Sequence, residues 1–140
     1  MTLVIDAAPL VALADTSEPL RGDILTALRS EPGDLIIPAP VTAEVDYLLG
    51  QRFGSDARRA FLADLASGRF TVASLDRGDY GAALDLESRY ADLDLGLADS
   101  SLVILARRHQ TTRVLSFDQR HFRAIEPLQG GAFTLLPADS

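Results

Sequence analysis

Two short apolar runs in this chain end directly in an aspartate, and this feature constrains the fold most strongly. Leu3-Val4-Ile5 is followed by Asp6, and Val114-Leu115-Ser116-Phe117 is followed by Asp118. Short β-branched runs that alternate with helical segments favour an α/β fold with a mostly parallel sheet. In such sheets, ligands bind outside the carboxyl ends of the strands. The two aspartates are therefore predicted to stand at a ligand-binding edge.

The rest of the chain continues the alternation without a repeat or a linker, so we expect a single domain over residues 1–140. Strands are predicted over residues 2–6, 35–37, 70–75, 113–117 and 132–136. A helical turn is predicted at Pro9, and helices over 18–29, 41–53, 55–67, 78–90 and 97–109, with Ser55 as an N-cap.

Two further acids lie on the apolar stripes of predicted helices. Glu44 shares a face with Val41 and Leu48, and Asp99 shares one with Leu102 and Val103. Each acid also has an ordinary explanation: Asp6 as a helix cap, Glu44 as an edge residue that reaches solvent, Asp99 as a first-turn acid and Asp118 as part of a polar turn. Four such acids that could converge together predict a divalent-metal site, since buried carboxylates need a cation or another partner.

The composition excludes several other kinds of reactive site. The chain has no cysteine, so disulfides and thiolate nucleophiles are excluded, and all 13 basic residues are arginine, so lysine chemistry is excluded. Hydrophobic residues make up 47% of the chain, but no run is long enough to span a bilayer and no signal peptide is recognisable, so we expect a soluble intracellular protein. The net charge of −7 argues against nucleic-acid binding over the whole surface.

Three further groups of residues carry weaker signals. Asp92 and Asp94 resemble the start of a calcium loop, but the later positions of that loop do not match, which leaves Asp94 as a possible outer acid of the cluster. His109 and His121 are expected to be surface or capping residues rather than metal ligands. Arginine clusters at 58–59, 107–108 and 120–123 could hold phosphates, although solvated helix faces are the favoured explanation for any one of them.

Four segments carry a resemblance to a known family. They are Val4-Ile5-Asp6, residues 41–49 with Glu44, Leu97-Ala98-Asp99, and residues 115–122 with Asp118. Together they resemble the PIN-domain ribonucleases, and among these the VapC toxins of bacterial toxin–antitoxin modules. The resemblance implies an α/β/α sandwich with a central, mostly parallel sheet. It also implies a Mg²⁺- or Mn²⁺-dependent endoribonuclease that cleaves cellular RNA in the cytoplasm.

The resemblance carries Asp6, Glu44, Asp99 and Asp118 over as the catalytic, metal-binding cluster. Asp6 and Asp99 are the first choice as direct ligands, with Glu44 and Asp118 binding directly or through water. It also implies a homodimer and a cognate antitoxin whose C-terminal segment fills the active-site groove. In one respect the chain departs from the family, because Ala7-Ala8-Pro9 follows the first aspartate where a hydroxyl residue is usual.

Two alternatives follow from that departure and from the strand-end aspartate. One is a catalytically weak PIN-like module that binds RNA or protein. The other is a phosphatase of the haloacid-dehalogenase type, which also begins with an aspartate at a strand end. That class needs a second acid two residues further on, and Ala8 stands there instead.

Overall fold

The computed structural model describes residues 2–140, in which five strands and seven helices alternate. The strands are β1 (Leu3–Ile5), β2 (Leu35–Pro38), β3 (Thr71–Ala73), β4 (Arg113–Leu115) and β5 (Thr134–Leu136). The helices are α1 (Ala7–Ala12), α2 (Arg21–Ser30), α3 (Ala39–Phe53), α4 (Ser55–Ala66), α5 (Arg77–Arg89), α6 (Leu97–Arg108) and α7 (Gln119–Ala124). A short 3₁₀ turn, Ala91–Leu93, precedes α6.

All five strands are parallel, and their order across the sheet is β3-β2-β1-β4-β5. The chain therefore builds outward from β1 in one direction with β2 and β3, and in the other direction with β4 and β5. The crevice between the carboxyl ends of β1 and β4 is the point where the direction of winding changes, which is where ligands bind in folds of this kind. In the β1–β4 pairing, Ile5 lies opposite Leu115, so Asp6 and Ser116 follow side by side.

Alternating side chains of the strands divide the core into two layers of contacts. Leu3 and Ile5 pack with residues of α1 to α4 on one face of the sheet, while Val4 packs with residues of α5 to α7 on the other. Helix α6 is buried over residues 100–106, which explains its nearly continuous apolar sequence. The predicted three-layer α/β/α sandwich with a central parallel sheet is confirmed.

The predicted elements are present, and the differences have local causes. Helix α3 begins at Ala39 rather than Val41, because Pro40 is compatible with the first turn of a helix. The prediction that Ser55 caps α4 is wrong: Gly54 is the N-cap and makes no side-chain hydrogen bond there, and Ser55 is already helical. Helix α7 was not predicted, since six residues are too few for a periodic apolar pattern.

Of the helices in residues 2–140, none has both the length and the apolar character needed to cross a membrane.

The buried helix α6 gives a stability prediction. Leu105 is completely buried, so Leu105→Ala leaves a cavity and should reduce the free energy of unfolding by about 2–5 kcal/mol. Leu84→Ala on α5 is the matched control, because that side chain is 65% exposed and its loss should change stability by less than about 0.5 kcal/mol. Urea unfolding of both variants tests the placement of α6. Equal destabilisation by the two changes would contradict it.

Candidate metal centre

The four acids predicted from the sequence line one cavity of about 570 Å³ at the carboxyl edge of the sheet. Asp6 comes from the end of β1, Glu44 from the second turn of α3, Asp99 from the first turn of α6, and Asp118 from the start of α7. The other lining residues are Ala7, Ala8, Gly96, Leu97, Ala98 and Phe117. Residues separated by more than 100 positions in the sequence therefore meet at the switch point of the sheet.

Asp6 is held firmly at the base of the cavity. Its Oδ1 accepts a hydrogen bond of 2.8 Å from the backbone N–H of Ala7, so the expected capping role is also present. The pKa of the Asp6 carboxyl is raised to about 6, chiefly by burial and to a lesser extent by the negative charges of Asp99 and Glu44, against the lowering effect of its hydrogen bonds with Ser116 and Ala7. Asp6 is thus a carboxylate whose charge lacks sufficient compensation from the protein alone.

Ser116 supplies the hydroxyl group that the residues after Asp6 cannot offer. Its Oγ donates to Asp6 Oδ2 at 2.8 Å and accepts from the backbone N–H of Asp118 at 3.0 Å. The sequence predicts Ser116 only as a strand residue and does not indicate this contact with Asp6. The signal that could have found it is the register, because the parallel pairing of β1 and β4 brings residue 116 beside residue 6.

Glu44 lines the cavity, but the expectation that it is buried on the apolar stripe of α3 is wrong. The residue is exposed, whereas Val41 and Val45 on the same helix are completely buried. The helix presents Glu44 at the rim of the cavity, close enough for its charge to raise the pKa of Asp6. A carboxylate at the rim keeps its hydration and can turn towards a ligand at low cost.

Asp99 and Asp118 lie close to each other in the cavity. Asp99 Oδ2 accepts from the backbone N–H of Gly96 at 3.4 Å, and Asp118 Oδ1 caps α7 by accepting from the N–H of His121 at 3.0 Å. Burial raises the pKa of the Asp99 carboxyl, and the charge of Asp118 adds to this, while His121 and the Gly96 hydrogen bond oppose it. Both acids therefore serve helix starts as well as the cavity.

His121 belongs to this group, and the expectation that it is a surface or capping residue is wrong. Its Nδ1 lies 2.7 Å from Asp118 Oδ2 and 3.4 Å from Asp99 Oδ2, and its side chain is only 14% exposed. The signal for it in the sequence is the spacing of three residues after Asp118, because a residue at that position of a capped helix lies next to the cap.

The side chains present fit a divalent cation. Carboxylate oxygens of Asp99 and Asp118 and one ring nitrogen of His121 all lie within 4.8 Å of one another. His121 Nδ1 is buried and has no hydrogen-bond partner in a suitable direction, although it faces two carboxylates. Oxygen-rich groups with one imidazole are a donor set that Mg²⁺ and Mn²⁺ accept. Asp94, by contrast, is exposed after the 3₁₀ turn and is not among the lining residues, so its expected place near the cluster is not supported.

The raised pKa of Asp6 predicts how stability depends on pH in the absence of metal. The folded protein holds a proton on Asp6 up to about pH 6, whereas the unfolded chain loses it near 3.8, so wild-type stability falls as pH rises through this window. Asp6→Asn should remove this loss and be more stable than wild type at neutral pH by roughly 1–3 kcal/mol.

Chemical denaturation in EDTA across that pH range measures the effect, with Asp94→Asn as a control for the change in net charge. The advantage of Asp6→Asn should vanish below pH 3.8. An advantage that is constant with pH, or equal in Asp94→Asn, would contradict the assignment.

Comparisons with known proteins agree with this geometry. The PIN domain family matches residues 3–126. The chain is 36% identical over 135 residues to "Ribonuclease VapC26" of Mycobacterium tuberculosis. The aligned region covers 96% of this chain and 100% of the relative.

Solved structures share the fold at lower sequence identity. VapC20 of Mycobacterium tuberculosis, a toxin that cleaves the sarcin–ricin loop, superposes with a TM-score of 0.75 at 20% identity and covers 83% of this chain and 89% of its own. A toxin–antitoxin complex from Klebsiella pneumoniae superposes with a TM-score of 0.68 at 17% identity and covers 88% of this chain and 92% of its own. VapBC2 from Rickettsia felis, bound to a DNA fragment from its promoter, superposes with a TM-score of 0.67 at 14% identity and covers 96% of this chain and 97% of its own. With this sheet order, this cavity and these matches, the chain belongs to the PIN-domain family, as a relative of the VapC ribonucleases.

Proposed function

We propose that this protein is a divalent-metal-dependent endoribonuclease, with residues 1–140 as one PIN-like domain, and that it is the toxin of a type II toxin–antitoxin module acting on cellular RNA in the cytoplasm. The observation that carries the proposal is the convergence of Asp6, Glu44, Asp99 and Asp118 on one cavity at the switch point of the sheet. The relative named as a ribonuclease, at 36% identity over nearly the whole chain, supports the choice of reaction.

The chemistry follows from the charges around the cavity. Asp6, Asp99 and Asp118 would hold the cation, and Glu44 at the rim would bind it directly or through a water molecule. When bound, a divalent cation polarises the phosphodiester, lowers the pKa of water and neutralises charge on the leaving oxygen. Ser116 keeps Asp6 in one orientation through its hydroxyl, and the Asp118 cap fixes the start of α7. The protein thus contributes placement and charge rather than a covalent nucleophile.

RNA must approach an acidic protein, and the arginines differ in whether they are free to bind its phosphates. Several are already paired with carboxylates: Arg58 with Asp46, Arg59 with Asp56, Arg108 with Asp79, Arg123 with Asp139. Arg120 is exposed, lies two residues after Asp118, and has no such partner among residues 2–140. It is the arginine best placed to hold a phosphate beside the cavity.

The alternative of a catalytically weak module depended on Ala7 and Ala8 after the first aspartate. Ser116 weakens that argument, since its hydroxyl reaches Asp6 from the neighbouring strand. Nothing in the donor set favours the phosphatase alternative, because Ala8 is the residue two positions after Asp6. The nuclease therefore remains the function that the site supports best.

Cleavage of RNA should require both the metal and Asp99. Purified wild-type protein, incubated with tRNA and rRNA fragments, should cleave in Mg²⁺ or Mn²⁺ and lose activity in EDTA. Asp99→Asn should reduce cleavage by at least about 100-fold, because it removes ligand charge at nearly constant shape. Asp94→Asn, an exposed acid outside the cavity, is the matched control and should retain wild-type activity.

Melting curves of the same variants separate binding from catalysis. Wild type should gain on the order of 1.4 kcal/mol at about ten times the dissociation constant for Mg²⁺, and Asp99→Asn should gain much less. Cleavage that persists in EDTA, or an Asp99→Asn variant with wild-type metal response and activity, would contradict the metal mechanism.

The same acidic cavity supports a protein partner. We propose a cognate antitoxin that inserts a basic side chain, preferably an arginine, because a guanidinium can pair with carboxylates in a bidentate manner. The structural neighbours include a toxin–antitoxin complex, although at an identity that concerns the fold alone. A homodimer is part of the same proposal, and light scattering of the purified protein measures it.

Affinity purification from the native host should recover a small partner at modest salt. Asp99→Asn should weaken its binding by at least about ten-fold, since a buried charge pair loses one member, whereas Asp94→Asn should not. Recovery of the protein alone, together with no growth defect on expression, would contradict the toxin assignment. A partner that binds Asp99→Asn as tightly as wild type would contradict only the basic insertion.

A further inference from the structure

The side chain of His121 is oriented by a hydrogen bond on the side away from the carboxylates. Its Nε2 lies 2.8 Å from the backbone oxygen of Leu93, in the 3₁₀ turn before α6. A carbonyl oxygen can only accept, so Nε2 must carry the proton of this hydrogen bond. In the neutral ring the other nitrogen, Nδ1, therefore carries the lone pair.

That lone pair faces other lone pairs. Nδ1 is 2.7 Å from Asp118 Oδ2 and 3.4 Å from Asp99 Oδ2, and no hydrogen-bond partner satisfies it. An acceptor that is buried against two negatively charged acceptors is unfavourable unless a proton or a metal cation lies between them. The direction of Nδ1 does not suit a hydrogen bond to either carboxylate oxygen, which favours the metal cation. A histidine whose remote N–H is fixed by a backbone carbonyl, and whose near nitrogen is free, has the arrangement typical of a metal ligand.

We propose that His121 Nδ1 is a direct ligand of the cation held by Asp99 and Asp118, so that the centre is a mixed nitrogen–oxygen site rather than a purely carboxylate one. This inference rests on the proposed metal dependence and extends it to the identity of the metal. Neighbouring ligands of an octahedral cation at about 2.1 Å stand roughly 3 Å apart, close to the separations of Nδ1 from the two carboxylate oxygens.

A nitrogen ligand changes which metals the site prefers. Mg²⁺ is a hard cation that favours oxygen, whereas imidazole improves binding of first-row transition metals in the order Mn²⁺, Fe²⁺, Co²⁺. The site should therefore favour Mn²⁺ and Co²⁺ over Mg²⁺, and His121 should be the cause of that preference.

Two substitutions separate the two roles of the His121 ring, which are the hydrogen bond of Nε2 to Leu93 and the proposed binding of metal by Nδ1. His121→Gln can still donate to the Leu93 carbonyl but has no atom in the position of Nδ1. His121→Asn places an amide oxygen near that position, which replaces nitrogen by a hard ligand. His109→Gln is the matched control. His109 follows the C-terminal end of the twelve-residue helix α6, whereas Asp99 lies in its first turn.

The decisive measurement is electron spin-echo spectroscopy of Mn²⁺ bound to the full-length protein labelled with ¹⁵N only in histidine. A directly bound imidazole gives a ¹⁵N coupling to Mn²⁺. We expect that coupling in wild type and in His109→Gln, and its absence in both His121 variants. No enzymatic turnover is needed for this measurement.

Thermal-shift titrations with Mg²⁺, Mn²⁺ and Co²⁺ give the corresponding affinities. His121→Gln should lose about 10- to 100-fold in affinity for Mn²⁺ and Co²⁺ and less for Mg²⁺. His121→Asn should retain Mg²⁺ binding while losing the preference for Co²⁺. His109→Gln should match wild type for all three metals.

The outcomes distinguish this inference from the proposed function. Wild-type protein that binds Mn²⁺ without a histidine nitrogen coupling would overturn the role of His121 and leave metal dependence intact. Wild-type protein that binds none of the three metals would overturn both. A coupling that survives in His121→Gln would also overturn the assignment to this residue.

Discussion

The repulsion among carboxylates at the junction of β1 and β4 is the constraint on which the rest of the site depends. The parallel order of the strands brings Asp6 beside Ser116, and it brings Asp99 and Asp118 into the same cavity. Burial raises the pKa of Asp6 and of Asp99, which means that the protein by itself does not provide enough positive charge for them. The same deficit is the physical basis for the two ligands proposed for this cavity, a divalent cation and a basic side chain of a partner.

Three of the four acids have a second role in the structure. Asp6 caps α1 and accepts from Ser116, Asp99 accepts from the start of α6, and Asp118 caps α7. These hydrogen bonds fix carboxylate oxygens in place without neutralising them. An acid that serves only as a cap would be satisfied by backbone N–H groups, whereas these acids also converge on one cavity. The observed capping roles of Asp6 and Asp118 are therefore physically compatible with the functional roles proposed for them.

Stability and activity are expected to oppose each other at this site. A cavity that stores like-charge repulsion in the absence of metal gains the most when a cation binds, because binding relieves the repulsion. Glu44 differs from the other three acids in this respect, since its exposure at the rim keeps it hydrated. It contributes charge to the cavity at little cost to folding, and it is the acid most free to follow a ligand.

The sequence by itself determined the alternation of strands and helices, the parallel α/β class and the four acids, because apolar periodicity and strand-end aspartates are local patterns. The resemblance to the PIN family, carried by those same segments, added the layer order and the expected reaction. Tertiary structure alone decided the rest. Ser116 reaches Asp6 through the register of β1 and β4, and His121 contacts Asp99 from a different helix, so both contacts join residues that are far apart in the sequence. Glu44 was placed on the buried stripe of α3, yet the position of that helix against its neighbours leaves the residue exposed. Periodicity identifies the face of a helix on which a residue lies, but the packing of neighbouring elements decides how far burial extends across that face.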